Sequence, residues 1–206
     1  MRTRIKICGI TRPGDAAAAA QAGADAIGLV FYPPSPRFLN VERAREIRDT
    51  LPPMVQTVAL FVNPDAALVA QVIGRVQPGL LQFHGEETPA FCAQFGLPFV
   101  KACRMAQGVD LLKYLRPFSA AGGWLLDAHV EEYGGVGASF DWSLVPARLE
   151  RPLVLSGGLT RANVGAAVRR VRPWAVDVSS GVEASKGIKD AAKIAAFIAE
   201  VRNADA

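Results

Sequence analysis

The sequence is poor in cysteine, with three in 206 residues. Cys8, Cys92 and Cys103 are odd in number and show no C-x-x-C spacing. That argues against a disulfide framework and a cysteine zinc site, and fits a reducing compartment. No window approaches the roughly 18 uninterrupted apolar residues of a membrane-spanning helix. The opening MRTRIKICGITRPGD has no apolar core of signal-peptide length. Together these absences predict a cytoplasmic protein. Charge of either sign is also scarce in long runs. The densest groups, Glu42–Arg48 and Arg169–Arg172, read as solvated helix faces. Without interleaved aromatics or a longer basic run they do not form a nucleic-acid stripe. The net charge of +4 still favours an anionic small substrate. No G-x-G-x-x-G follows the first β-rich run, which weakens a dinucleotide-binding reading. Glycine and proline are scattered rather than clustered, so no disordered or collagen-like segment is indicated.

What is present is alternation. Candidate strands are Arg4–Cys8, Ala26–Phe31, Val55–Val62, Leu80–His84, Phe99–Arg104, Trp124–Asp127, Leu153–Ser156 and Ala175–Ser179. Between them lie candidate helices Pro13–Ala22, Val41–Leu51, Pro64–Val76, Thr88–Phe95, Val109–Phe118, Asp141–Leu149, Arg161–Val171 and Asp190–Arg202. Thr11-x-Pro13 and Asn63-Pro64-Asp65 set a capping side chain beside an early proline. Strict βα alternation implies parallel strands joined by right-handed crossovers. Eight units predict an α/β fold of one domain over residues 1–206, a closed (β/α)8 TIM barrel, at the short end of that fold's length. An open doubly wound sheet is the alternative.

Side chains alternate along a strand, and the outside of a barrel strand packs on helices. Ile5 and Ile7 should therefore face out, and Lys6 and Cys8 in. The same parity points Gln82, His84, Leu125, Asp127, Asp177 and Ser179 inward. Cys8, His84 and Asp127 fall at strand ends, on the C-terminal rim where chemistry sits in such barrels. Lys6 and Asp177 lie a layer deeper, and neither charge is tolerable alone there, so they are expected to pair. Gly157-Gly158 ends the seventh strand, and Ser180-Gly181 the eighth. Glycine-rich turns at these two loops expose backbone N–H groups to an anion, the usual phosphate site of the fold.

Several motifs occur in order: Lys6-Ile7-Cys8-Gly9-Ile10-Thr11; Gly23-Ala24-Asp25 leading to Ser35-Pro36-Arg37; Gln82-Phe83-His84-Gly85-Glu86; Gly134-Gly135 before Phe140-Asp141-Trp142; Leu155-Ser156-Gly157-Gly158-Leu159; and Asp177-Val178-Ser179-Ser180-Gly181-Val182-Glu183. With these the chain resembles the phosphoribosylanthranilate isomerase family of tryptophan biosynthesis, from Lys6 to about Asp190. It departs from the family pattern at Val136, where a threonine is usual, and at Lys186, where a proline is usual. The resemblance implies an Amadori rearrangement of N-(5-phosphoribosyl)anthranilate to 1-(2-carboxyphenylamino)-1-deoxyribulose 5-phosphate. It makes Cys8 the general base and Asp127 the general acid, with no cofactor and no metal. These roles ask for an acid held above the ordinary carboxylate range, and for a thiol that is lowered or used as its minority thiolate. Arg37, in a loop that Pro33, Pro34 and Pro36 should hold extended, becomes the contact for the anthranilate carboxylate. His84 and Asp177 join it as substrate-binding candidates, and Gly157, Gly158, Ser180 and Gly181 as phosphate-binding ones. His129 reads as bland, and Cys92 and Cys103 as packing residues. The expected partner is a small phosphosugar, without nucleic acid or membrane, bound by a monomer or weak homodimer.

Three other readings stay open on the residues. A histidine-pathway aminoaldose isomerase typically carries paired aspartates at the ends of strands one and five, where this chain has Cys8 and Cys103. A lysine-dependent aldolase would use Lys101 on strand five. A non-catalytic phosphosugar-binding module would bind without turnover.

Overall fold

The computed structural model describes residues 2–105, 110–128, 142–146 and 149–206. Eight parallel strands close into one barrel in sequence order: β1 (Arg4–Cys8), β2 (Ala26–Val30), β3 (Gln56–Phe61), β4 (Leu80–Phe83), β5 (Phe99–Met105), β6 (Gly123–Ala128), β7 (Leu153–Leu155) and β8 (Ala175–Val178). Closure is made by β1 against β8, with Lys6 opposite Asp177 in the register. The open-sheet alternative is thereby excluded.

Around the barrel run α1 (Pro13–Ala22), α2 (Val41–Asp49), α3 (Ala66–Val76), α4 (Pro89–Ala93), α5 (Leu111–Leu115), α6 (Arg161–Val171) and α7 (Ala191–Asp205). Local chemistry sets their ends. Asn40, Asp65, Thr88, Asp110 and Asp190 each accept a hydrogen bond from a first-turn backbone N–H, which satisfies a donor the helix leaves unpaired. The cap beside Pro64 is Asp65, while Asn63 instead accepts from the Glu86 N–H. Thr11 does not cap α1; its hydroxyl donates to the Gly187 carbonyl across the rim. Between β6 and β7 the described residues form only a short 3-10 turn, Trp142–Leu144, where a helix over Asp141–Leu149 is expected from sequence; Asp141 lies outside the described residues. Among the described residues no helix is long and apolar enough to cross a membrane.

The main core lies between barrel and helices. Ile5, Ile7, Phe61, Phe83, Trp124 and Val176 are buried there, each worth about 1.5–3 kcal/mol relative to exposure. The opposite parity fills the barrel, and at its upper end Cys8, Val30, Leu60 and Val62 form a separate small cluster. Lys101 belongs to the outer set. Its ammonium is fully buried, 2.9 Å from the Glu87 carboxylate, and donates to the Gly85 carbonyl. A lysine committed in this way, outside the barrel, is not placed to form a Schiff base at the mouth. The inward residue at the top of β5 is Arg104, which lines the mouth, whereas Cys103 is buried in the outer core. Reading Cys103 as the rim residue of strand five is corrected by that parity.

Candidate active site

One cavity opens at the C-terminal end of the strands. Its wall includes Cys8, Arg37, Gln82, His84, Arg104, Asp127, Gly157, Gly158, Asp177 and Ser180. Inward parity and the rim location thus bring every candidate except Gly181 to one hollow. His129, Gly134, Gly135, Val136 and Phe140 lie outside the described residues.

Cys8 ends β1 and is 6% exposed. Below it the Lys6 ammonium sits 2.9 Å from Asp177, and Ser156 Oγ lies 3.5 Å from the other Asp177 oxygen. Asp177 is therefore engaged by Lys6 at the floor of the cavity. Burial alone would lower Lys6, but Asp177 and the nearby sulfur outweigh it and hold the ammonium up at about 12. Burial pushes the Cys8 thiol above its ordinary value, and Lys6 pulls it back only in part. Of the two routes to a base, burial works against a lowered thiol and favours use of the minority thiolate. Cys92 and Cys103 are raised by burial to about 12 and about 11.

Across the mouth, His84 Nε2 lies 3.1 Å from Asp127 Oδ2, and His84 Nδ1 lies 3.0 Å from Gln82 Nε2. Gln82 and His84 share the inner face of the fourth strand and its exit, two residues apart, so one strand supplies both.

Arg37 differs from its expectation. The loop before it does not run extended; it makes successive turns, with the Ser35 N–H donating to the Tyr32 carbonyl and that of Phe38 to the Ser35 carbonyl. The Arg37 guanidinium is buried and grips Glu183 with two nitrogens, at 2.7 and 2.8 Å. Glu183 also accepts from the buried Lys189 ammonium at 2.8 Å, and Lys189 donates to the Ser179 carbonyl at 3.0 Å. Burial opposes ionisation of Glu183, yet Arg37 and Lys189 hold it below the ordinary carboxylate range. Burial lowers Lys189 despite Glu183. Glu183 opens a small antiparallel hairpin, β9 (Glu183–Ser185) and β10 (Ile188–Lys189), after the eighth strand. The ion pair thus fastens the second loop to the eighth. Gly9 makes this possible: at φ 71° it is left-handed, and a Cβ there would come within 2.3 Å of Arg37 Cδ.

The glycine loops after β7 and β8 meet. Gly157, Gly158 and Ser180 line the cavity. Gly181 stands behind them, where a Cβ would come within 2.0 Å of the Leu159 carbonyl oxygen. Its side-chain hydrogen lets the two loops touch and form one cradle. Arg104, which lines the mouth, and Glu183 and Lys189, which fasten its loops, are left without a role by sequence reasoning. Their signal was faint: a carboxylate just after a glycine-rich turn, and a lysine six residues on.

The fold and this mouth define a (β/α)8-barrel enzyme of the phosphosugar-isomerase kind. Residues 5–200 match the family model of N-(5'phosphoribosyl)anthranilate (PRA) isomerase. Over 205 residues the chain is 58% identical to the N-(5'-phosphoribosyl)anthranilate isomerase of Dechloromonas aromatica, covering 100% of this chain and 99% of the relative. It is 57% identical to that of Leptothrix cholodnii, covering 100% and 93%. The crystal structure of the enzyme from Thermotoga maritima superposes with a TM-score of 0.91 at 43% identity, covering 98% of this chain and 99% of that one. A phosphoribosyl anthranilate isomerase solved with reduced 1-(o-carboxyphenylamino)-1-deoxyribulose 5-phosphate superposes at 0.88 with 40% identity, covering 98% and 99%. The chain belongs to the N-(5'-phosphoribosyl)anthranilate isomerase family.

Proposed function

We propose that this chain isomerises N-(5'-phosphoribosyl)anthranilate to 1-(2-carboxyphenylamino)-1-deoxyribulose 5-phosphate in tryptophan biosynthesis, with Asp127 as general acid and Cys8 as general base. The observation that carries the assignment is the shared hollow: Cys8 and Asp127 line one cavity together with Gly157, Gly158 and Ser180. Asp127 gives a proton to the ribose ring oxygen while the aniline nitrogen pushes electrons to C1. The ring C–O bond breaks and an iminium forms. The C2 hydrogen is then acidic, and the Cys8 thiolate removes it. The resulting enolamine tautomerises to the aminoketose. No redox partner enters, since the carbon skeleton only exchanges an aldose for a ketose oxidation pattern.

The thiolate is the minority form at neutral pH, and that has a cost. Even an unshifted thiol is only a few per cent ionised at neutral pH, burial makes the Cys8 thiolate scarcer still, and each tenfold deficit amounts to about 1.4 kcal/mol, against the roughly 10²–10⁴-fold that general acid–base catalysis supplies. Lys6 lies on the same inner face below the sulfur and favours its ionised form. Backbone N–H groups at Gly157, Gly158 and Ser180 receive the phosphate, aided by the N-terminus of α6. Arg37 is held at the anthranilate end of the mouth, one oriented guanidinium suited to a carboxylate. Asp177 supports the floor through Lys6. The setting is cytoplasmic, the partner is the small phosphosugar itself, and the chain works as a monomer or weak homodimer.

The test is loss of anthranilate-derived fluorescence as substrate is consumed, with Cys8→Ser and Asp127→Asn beside the wild type. Turnover in the wild type and a fall of at least 100-fold in each variant is the expected pattern. A wild type without turnover would remove the function, and two fully active variants would remove the acid–base pair.

A further inference from the structure

Gln82 is fully buried, lies on the inner wall beside the reacting groups, and has no part in the proton transfers above. Its amide nitrogen is 3.0 Å from His84 Nδ1, and its amide oxygen is buried with no hydrogen-bond partner among the described residues. The reverse amide orientation would bury an NH2 group without acceptors in place of one carbonyl. Buried carbonyls lacking a partner are the more tolerable of the two. The amide therefore donates to Nδ1. A neutral imidazole that accepts at Nδ1 carries its proton on Nε2. That N–H points at Asp127 Oδ2, 3.1 Å away.

We infer that Gln82 is a positioning residue: it fixes His84 in the Nε2–H tautomer, so that His84 donates to Asp127 Oδ2 and the transferable proton resides on Oδ1. The inference rests on the reading of Asp127 as the acid. When the Oδ1–H bond breaks and the proton joins the sugar ring oxygen, the electron pair stays on the carboxylate. The His84 N–H then stabilises that charge where it develops. The opposite tautomer would turn a lone pair toward Oδ2. It would repel the carboxylate, or draw the acid proton onto Oδ2 and away from the substrate. A glutamine two residues before the histidine supplies this control within one β-strand and its exit.

The chain has only 2 histidines, so a ¹⁵N-histidine spectrum of the intact protein contains two rings, and a His84→Asn sample assigns them. The expected wild-type result is an unprotonated Nδ1 and a protonated Nε2 on His84. Gln82→Leu removes the donor: kcat should fall about 10–100-fold through misplacement of the acid, with far less change in KM, and the Nδ1 resonance should move. Gln82→Glu keeps the shape but ends in acceptors, so it should draw a proton onto Nδ1 and lose at least as much kcat. A wild-type Nδ1 that is protonated would overturn the inference. So would wild-type kcat in both variants, or a fall in kcat with the His84 resonances unmoved in both. Asp127→Asn is measured alongside. Full activity there sinks the acid assignment alone, and leaves the tautomer result standing on its spectrum.

Discussion

The Lys6 ammonium is bonded to the Asp177 carboxylate at 2.9 Å where the first and last strands of the barrel meet. The pair does two things at once: it neutralises two charges at the cavity floor and holds a cation under the Cys8 sulfur. Removing one partner strands the other, which for buried pairs costs about 3–5 kcal/mol. Asp177→Asn should therefore lower the unfolding free energy by that amount in urea titration. The double variant Lys6→Met/Asp177→Leu should recover most of it while remaining inactive. The pH sign follows from the raised Lys6 value. The contribution is fully present below the ordinary lysine value of 10.5 and is lost as pH rises toward about 12. Stability that falls between pH 7 and 9 because of this pair would contradict the assignment.

Cys8 gives a prediction of opposite visibility, in activity rather than stability. Its thiol is raised by burial, with Lys6 opposing. Thiolate absorbance, taken as the difference between wild type and Cys8→Ser, should therefore grow in only above pH 9.0. The rise of kcat/KM with pH should level off in the same region, because there the thiolate is no longer the minority form. A Cys8 thiol titrating near pH 7 would overturn the minority-thiolate mechanism.

Most of the barrel is legible in the sequence because its physics is local and periodic. β1, α1 and α6 coincide with their expected spans, since parity, an early proline and helix-stop signals all lie within a few residues. The pairing of Lys6 with Asp177 is legible for a different reason: two inward charges on neighbouring strands of a closed ring have nowhere else to go. The grip of Arg37 on Glu183 is not, because it joins residues 146 apart in sequence through two loops, and loop conformation has no period to read. The rim position of strand five failed by one residue. The strand runs to Met105, and one residue of register exchanges the inside of a barrel for the outside.

Glu183 carries the next prediction. It holds Arg37 and Lys189 together and so ties the second loop to the eighth. Glu183→Gln should leave the fold intact and loosen both loops. KM for the phosphosugar should rise about 10-fold or more, since charge-assisted bidentate pairs fix geometry that a neutral amide does not. Because Glu183 is held below the ordinary carboxylate value, its stabilising share is present above pH 4.5 and lost as pH falls further. The variant should therefore show a shallower acid destabilisation than wild type. Unchanged KM together with an unchanged acid limb would mean that the clamp does not order the mouth.

Gly28 offers the sharpest steric test of the thiol's position. It stands beside Cys8 in the register of β1 and β2, and a Cβ added there would meet the Cys8 sulfur at 2.7 Å and Lys6 Cε at 3.1 Å. Lys6 is held by Asp177 and the Cys8 Cα would itself stand 3.1 Å away, so the atom that gives way is the sulfur, which borders the open cavity. Gly28→Ala should thus push the sulfur off its line to the C2 hydrogen. Overpacking of this kind costs about 1–3 kcal/mol of stability, readable as a lower urea midpoint. The effect on turnover should be larger, about 100-fold in kcat, because displacement of a reacting group by about 1 Å has that consequence. Phosphate-end contacts are untouched, so KM should change little. If Gly28→Ala keeps wild-type kcat while losing the expected stability, the sulfur does not need this position and Cys8 is not the base.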